Sequence, residues 1–403
     1  MPPRDFIEAR KTKTITLVEE RPYYPELVVT LGPKEEGEDA PPPTHTDESI
    51  INAALQIVFH ESEAPSDLAE NLKVRTVSGG ITNALYCVTG FRPVQAYDSL
   101  LIRIFGAEGM IDRDVETCTF AELAKAGIAP SYFGRFANGR VEGFLENYSI
   151  LVVMDLQIKS NMEAIAKEMA HLHQGFKVPV TLEEWHHPSN PGLWSQLFTW
   201  MEQAKKIDPQ LGYKSKGDSE RAARLLNLGY VENELNFVEE KVIPKDAKIV
   251  FCHNDLLPAN IMKHNETGEI HLIDFEYGGL NYAAFDIANH FNEFAGGPEK
   301  KNGEPDYELF PDDNEQKLFI DAYVQEMRSM LPDGETSELS LEEESELLLA
   351  EVHKFILANH LYWGLWAVNQ ASTEGTEEFD YLAYAWHRFN RYGEAKLELG
   401  YYD

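Results

Sequence analysis

Cysteine is scarce in this chain: 403 residues hold three, Cys87, Cys118 and Cys252. They form no C-x-x-C pair and no disulfide framework, so a reducing compartment is expected. Long apolar runs are also missing. No stretch reaches the roughly 18 apolar residues that a membrane helix needs. The longest candidate, 356–371, is broken by Asn359, His360, Asn369 and Gln370. No membrane insertion is expected. The first 21 residues mix charges throughout and do not read as a secretory signal, so a cytoplasmic location is expected. Positive charge is in deficit, with 35 Lys and Arg against 68 Asp and Glu, a formal net charge of −33. A nucleic-acid partner would have to bind against that field, so none is expected; a cationic small molecule would be drawn in by it.

What is present begins with apolar content of 43%, enough for a substantial core. The chain divides by pattern. Residues 1–69 read as an acidic, proline-bearing extension followed by a first helix capped by Asp47. Residues 70–154 read as a strand-rich lobe: strands over 72–77, 81–89 and 100–105, a helix over 114–125, and further strands over 129–136, 140–145 and 148–154. Residues 155–403 turn helical, with candidates over 193–204, 219–240 and 342–370. The segment 249–276 is an exception with strand-loop-strand character.

That exception carries the chemistry. His253-Asn254-Asp255 is followed by Asn260, and Asp274 and Glu276 come after the apolar run 270–273. Asp255 is a base candidate in a loop. Asn260 and Asp274 are hard oxygen donors of the kind Mg²⁺ takes, and Glu276 would share a face with Asp274 if the segment were extended. Any one of these letters is weak. Together, at these offsets, they equip a chain to move a phosphoryl group from a nucleotide to a hydroxyl. His253 reads better as an internal hydrogen-bonding residue.

The phosphate end needs positive charge. Arg103 lies in an apolar strand, where an unpaired charge would be expensive, and Glu116 on the next helix is its natural partner. The glycine hairpin 77–83 offers Ser78, Thr82 and Asn83 as donors. It is not a P-loop, and an ordinary tight turn or a structural ion pair would serve as well.

These residues resemble the choline/ethanolamine kinase family. The matching motifs are 251–261, 273–277 with 281–294, and His360-Leu361-Tyr362-Trp363-Gly364-Leu365-Trp366; 79–83 and 103–106 agree as well. The resemblance covers roughly 70–393. It implies an α+β, protein-kinase-like, two-lobed fold, with a small strand-rich N-terminal lobe and a large helical C-terminal lobe. It implies ATP as co-substrate and Mg²⁺ as cofactor, with an amino alcohol as partner. It also implies Asp255 as catalytic aspartate, Asn260 and Asp274 as metal ligands, and Ser78–Asn83 and Arg103 at the nucleotide phosphates. Glu293, Trp363 and Trp366, with Tyr384 added, would hold the cationic headgroup. Leu256-Leu257 and Asn292-Glu293-Phe294 lean toward the ethanolamine branch and so toward phosphatidylethanolamine synthesis. Choline or dual use stays open, as does a homodimer, since the family includes dimers. An antibiotic phosphotransferase shares the Asp255–Asn260–Asp274 pattern but not the tryptophan segment. A catalytically silent nucleotide-binding protein would need a lost catalytic group, and none is lost.

Overall fold

The computed structural model describes residues 22–32, 44–77, 83–92, 94–106, 112–208, 212–332 and 334–402. Chain contacts separate two units. One holds the described residues of Lys13–Ser149 with His264–Thr267, and the other holds the described residues of Ile150–Lys263 and Gly268–Asp403. A strand-rich N-terminal unit and a helical C-terminal unit make up the expected protein-kinase-like α+β fold.

The first unit is a six-stranded sheet. In chain order its strands are β1 (Tyr23–Tyr24), β2 (Lys73–Val77), β3 (Asn83–Thr89), β4 (Ser99–Phe105), β5 (Tyr132–Phe136) and β6 (Gly139–Gly143), and in space they run β1-β5-β6-β4-β3-β2. Alternation along β4 decides its two faces. Leu100, Ile102 and Ile104 enter a core with Ile50, Ala53, Ala54 and Ile57 of α1 (Asp47–Val58), while Arg103 points the other way. Asp47 is not the cap of that helix. Thr46 is: its hydroxyl accepts from the Ser49 amide, and Asp47 supplies acid to the first turn. Two further helices, α2 (Leu68–Asn71) and α3 (Arg113–Lys125), complete the unit. Asp112 caps α3, and Gly127 at φ 76° follows its end.

The expected strand over 148–154 is cut short. Strand β7 covers Tyr148–Ile150, and α4 (Val153–Leu156) follows, because the Asp155 carboxylate accepts from the Val152 amide at 2.9 Å and closes a helical turn.

The second unit is mostly helical: α5 (Lys159–Gly175), α6 (Gly192–Lys206), α7 (Lys216–Leu225), α8 (Leu228–Phe237), α9 (Ala283–Glu293), α10 (Asp313–Ser329), α11 (Leu341–Thr373) and α12 (Tyr381–Glu398). The single helix expected over 219–240 is two, because the Asn227 side chain accepts from the Tyr230 amide and starts a new helix. Helices α10 and α12 were not singled out from the sequence. Helix α11 is the axis of the unit. Ser340 and Glu343 form its capping box, and from Phe355 to Leu365 every residue is buried. A helix apolar all round belongs in a core, and α9 and α12 both pack on it. Between the helices lie β8 (Ile249–Cys252), β9 (Ile261–His264), β10 (Ile270–Leu272) and β11 (Gly279–Tyr282). β8 pairs antiparallel with β11, and β9 with β10. Among the described residues no helix is long and apolar enough to cross a membrane.

The crossing of α11 and α12 is tight at Gly364, where a Cβ would collide with the Phe389 ring. Gly364→Ala should therefore lower unfolding free energy by about 1–3 kcal/mol, the usual effect of overpacking. Urea denaturation checks this; an unchanged midpoint would mean that the crossing relaxes freely.

Candidate active site

The loop after β8 begins inside the protein. His253 and Asn254 are both buried, and solvent is first reached at Asp255. One carboxylate holds this buried turn. Asp286 on α9 accepts from the His253 amide at 2.8 Å and from the Asn254 amide at 2.7 Å. His173 Nε2 of α5 lies 3.0 Å from the same group. Burial alone would raise the Asp286 pKa, but the His173 hydrogen bond and the neighbouring charges outweigh it and hold it below the usual range.

Two histidines complete the frame. His253 Nε2 donates to the Ile273 carbonyl at 2.8 Å, and His290 Nδ1 donates to the Leu256 carbonyl at 3.0 Å. A carbonyl only accepts, so each bond fixes the tautomer. Burial lowers both pKa values, His290 to about 4, so both rings are neutral. His253 thus ties the loop of Asp255 to the residue before Asp274.

Asn254 and Asp274 have φ of 65° and 61°. Such left-handed backbone at non-glycine residues persists where surrounding bonds hold it. Asn254 Nδ2 donates to the Tyr277 carbonyl at 2.9 Å, and Asn281 Nδ2 donates to Asn254 Oδ1 at 2.7 Å. At Asp274 the strand has already ended, so Asp274 and Glu276 are not on one face of an extended segment as expected.

Asn260 donates to the Asp255 carbonyl at 2.9 Å and to its carboxylate at 3.3 Å. Asp255 keeps some solvent contact. Even so, the surrounding protein, then Glu293, Glu276 and Asp274, push its carboxyl well above the usual range. Three further carboxylates thus act on Asp255 through their charge. Asn260 adds an amide oxygen, its nitrogen being committed to Asp255. This all-oxygen, negatively charged donor set fits a hard divalent cation such as Mg²⁺. Among the described residues, the group of histidine, cysteine and carboxylate ligand atoms that lie within 4.8 Å of one another is a different one, His173, Cys252 and Asp286. Its Asp286 oxygens are already taken by two amides and a histidine, and burial pushes the Cys252 thiol well up, so it is a structural group.

Aromatic side chains meet the acidic group. Trp363 and Trp366 pack edge to face at 5.4 Å, and Trp366 meets Tyr384 at 6.5 Å. The Trp363 indole donates to Asn289 Oδ1 at 2.6 Å, and that of Trp366 to the Tyr277 hydroxyl at 3.2 Å. Asp255 raises the pKa of Tyr277, Tyr362 and Tyr384, after burial, which places these rings in its field. Glu293 is buried, and burial pushes it up to about 7 against the pull of Arg388. Of the four expected headgroup residues, Trp363, Trp366 and Tyr384 are linked by ring contacts, and the charge of Glu293 reaches Tyr384. Tyr277, Tyr362, Asn289 and Arg388 were not assigned roles. Tyr277 sits inside the 273–277 motif, and Arg388 lies one helical turn beyond Tyr384, which was the available signal for each.

In the strand unit, Arg103 stands directly opposite Arg140 across β4 and β6. Like charges so placed repel. Glu142 Oε1 accepts from Arg103 Nε at 2.8 Å and from Arg140 Nε at 2.6 Å. Glu116 accepts from Arg140 at 2.6 Å and from Arg113 at 3.1 Å, and feels the Arg103 charge as well. Burial would raise both carboxylates, but the arginines hold them below the usual range. Arg103 is thus bonded to Glu142, and the expected partner Glu116 bonds Arg140 and Arg113 and acts on Arg103 through charge within the same cluster. Asn83 is buried at the start of β3, while Ser78 and Thr82 lie outside the described residues.

Removing the anchor of the loop tests this frame. Asp286→Ala leaves two amides and a histidine without their acceptor and should lower stability by about 3–5 kcal/mol. It should also cut kcat far more than KM. Retained kcat in a folded variant would show that Asp286 does not position the loop.

The choline/ethanolamine kinase family profile matches residues 74–393. A probable choline kinase of Arabidopsis thaliana is 32% identical over 331 residues, covering 80% of this chain and 86% of the relative. A probable ethanolamine kinase of Dictyostelium discoideum is also 32% identical over 331 residues, covering 81% and 86%. The crystal structure of a choline kinase from Cryptosporidium parvum superposes with a TM-score of 0.69 at 25% identity, covering 88% of this chain and 96% of that one. With its buried loop, its acidic centre and its aromatic wall all inside the matched region, the chain belongs to the choline/ethanolamine kinase family.

Proposed function

We propose that the protein transfers the γ-phosphoryl of ATP to the hydroxyl of ethanolamine, giving phosphoethanolamine for phosphatidylethanolamine synthesis. The observation that carries this reading is Glu293, a buried carboxyl near aromatic rings whose charged form Arg388 compensates only in part. A buried carboxylate is stabilised most by a cation that also donates hydrogen bonds. A primary ammonium has three such donors, and a trimethylammonium has none. The branch-like segments Leu256-Leu257 and Asn292-Glu293-Phe294 agree.

In this reading Glu293 binds the ammonium, with Trp363, Trp366 and Tyr384 supplying ring faces. Asp255, oriented by Asn260, accepts the proton of the attacking hydroxyl. Mg²⁺, when held by Asn260 and Asp274 with Glu276 nearby, would supply positive charge to the phosphate oxygens. Arg103, fixed by its carboxylate cluster, is the guanidinium proposed for the nucleotide phosphates, with Ser78, Thr82 and Asn83 as further donors. The paired tryptophans favour a second reading, choline, because ring faces hold a quaternary ammonium without hydrogen bonds.

Turnover of ethanolamine and choline, measured side by side with Mg-ATP, separates the two. We expect kcat/KM to favour ethanolamine by about tenfold or more, equivalent to about 1.4 kcal/mol of transition-state stabilisation. The opposite preference would overturn the ethanolamine assignment.

Glu293 also sets a pH dependence. Its carboxylate form, needed for the ammonium, is lost as pH falls through about 7. Log kcat/KM for ethanolamine should therefore fall with unit slope below that pH. Asp255, raised as well and needed as the proton acceptor, also loses activity on the acid side, so Glu293→Gln should shift this limb rather than remove it. The sign for stability is opposite: the protonated group favours the fold, and that contribution is lost as pH rises through about 7. A wild-type profile flat from pH 6 to 8 would remove Glu293 from ammonium binding.

A further inference from the structure

A buried polar chain drawn from three helices ends on one of the headgroup rings. It starts at Arg388 of α12, which is buried. Arg140, equally buried, bonds the carboxylates of Glu116 and Glu142. Arg388 bonds a neutral residue instead, Asn359 of α11. Its Nη2 donates to the Asn359 side-chain oxygen and to the Asn359 carbonyl at 3.3 Å, and its Nε finds no partner. A buried guanidinium held by a neutral amide is costly.

Asn359 passes the connection on. Its Nδ2 donates to Asn289 Oδ1 of α9 at 2.7 Å, and the Trp363 indole donates to the same oxygen at 2.6 Å. Both asparagines are fully buried. The two ends of the chain fix its direction, because a guanidinium and an indole N–H only donate. Asn359 must turn its oxygen to Arg388 and its amide NH2 to Asn289. Asn289 must then turn its oxygen to both donors, and its own Nδ2 has no partner that would hold it there.

Without the guanidinium, nothing at that end sets the Asn359 amide. It can present its oxygen to Asn289, which answers with its NH2, and the Trp363 N–H then loses its acceptor. Trp363 packs edge to face on both Trp366 at 5.4 Å and Tyr277 at 5.7 Å, so its orientation matters to the whole aromatic wall. Arg388 also acts on Glu293 through its charge, a route that bypasses Trp363.

We infer that Arg388 is a positioning residue of the headgroup site, and that it fixes the orientation of the Trp363 ring through Asn359 and Asn289. The inference rests on the headgroup role proposed above for Trp363.

Two readouts on the full chain separate this role from a merely structural one. The first needs no turnover. The indole N–H resonance of Trp363, assigned by its absence in Trp363→Phe, should move upfield in Arg388→Met. It should stay in place in Arg388→Lys, which keeps a donor and the charge. Asn359→Asp keeps an acceptor for Arg388, as an ion pair, but removes the donor to Asn289, and it should move the same resonance. A resonance unmoved in both Arg388→Met and Asn359→Asp would overturn the relay.

The second readout is kinetic. In Arg388→Met and in Asn289→Leu, KM for the amino alcohol that wild type prefers should rise about tenfold, the order expected for one lost buried hydrogen bond. KM for Mg-ATP should stay unchanged. The double variant should be no worse than either single one, because both cut the same chain. Additive effects would mean that Arg388 acts through its charge on Glu293, and would overturn the inference. So would a moved resonance with unmoved KM. Wild type that turns over neither ethanolamine nor choline would overturn the proposed function, while the resonance still decides the relay.

Discussion

One carboxylate, Asp286, organises the catalytic unit. It is buried, it accepts two consecutive backbone amides, and it bonds a histidine from another helix. Each amide would be an orphan donor in the interior without it. Because the second of these amides belongs to the left-handed Asn254, the same carboxylate helps to hold a backbone conformation that non-glycine residues rarely adopt. Asp255 is aimed by this arrangement. Its position follows from a group 31 residues away in sequence, on a helix that is itself packed on α11.

Around Asp255 the protein accumulates negative charge. Glu293, Glu276 and Asp274 all destabilise its anionic form. Elsewhere the chain treats buried carboxylates differently. Glu116 and Glu142 each receive arginines and are held in their charged form. The contrast separates a closed ion cluster, whose carboxylates are held charged by arginines, from a loop carboxyl that other carboxylates raise. Perturbed acids of the second kind mark functional sites.

The sequence made the polar motif legible because its parts lie close together in the chain. Asp255, Asn260 and Asp274 are separated by short loops, and the apolar runs beside them are unmistakable. The tryptophan pair was legible as one helical face. The partners that came from afar were not. His173 looked like an ordinary helical residue, its partner Tyr323 lay in a helix that the sequence did not single out, and Arg140 and Glu142 looked like alternating strand positions. Nothing local distinguishes a histidine that bonds a remote aspartate from one that faces solvent. The break at Asn227 was missed because the apolar periodicity on either side resembles one continuous helix.

Local chemistry thus decided which groups this chain can offer: a loop aspartate, oxygen donors for a cation, a strand arginine, and an aromatic helix face in an acidic chain with few cysteines. It also decided the order of strand-rich and helical regions, since hydrophobic period is a local property. Tertiary structure decided what those groups experience. Burial raised Glu293, the crowding of carboxylates raised Asp255, and the opposition of Arg103 to Arg140 required a shared glutamate. Desolvation and charge proximity depend on distances between residues remote in the chain, so no reading of the sequence alone contains them.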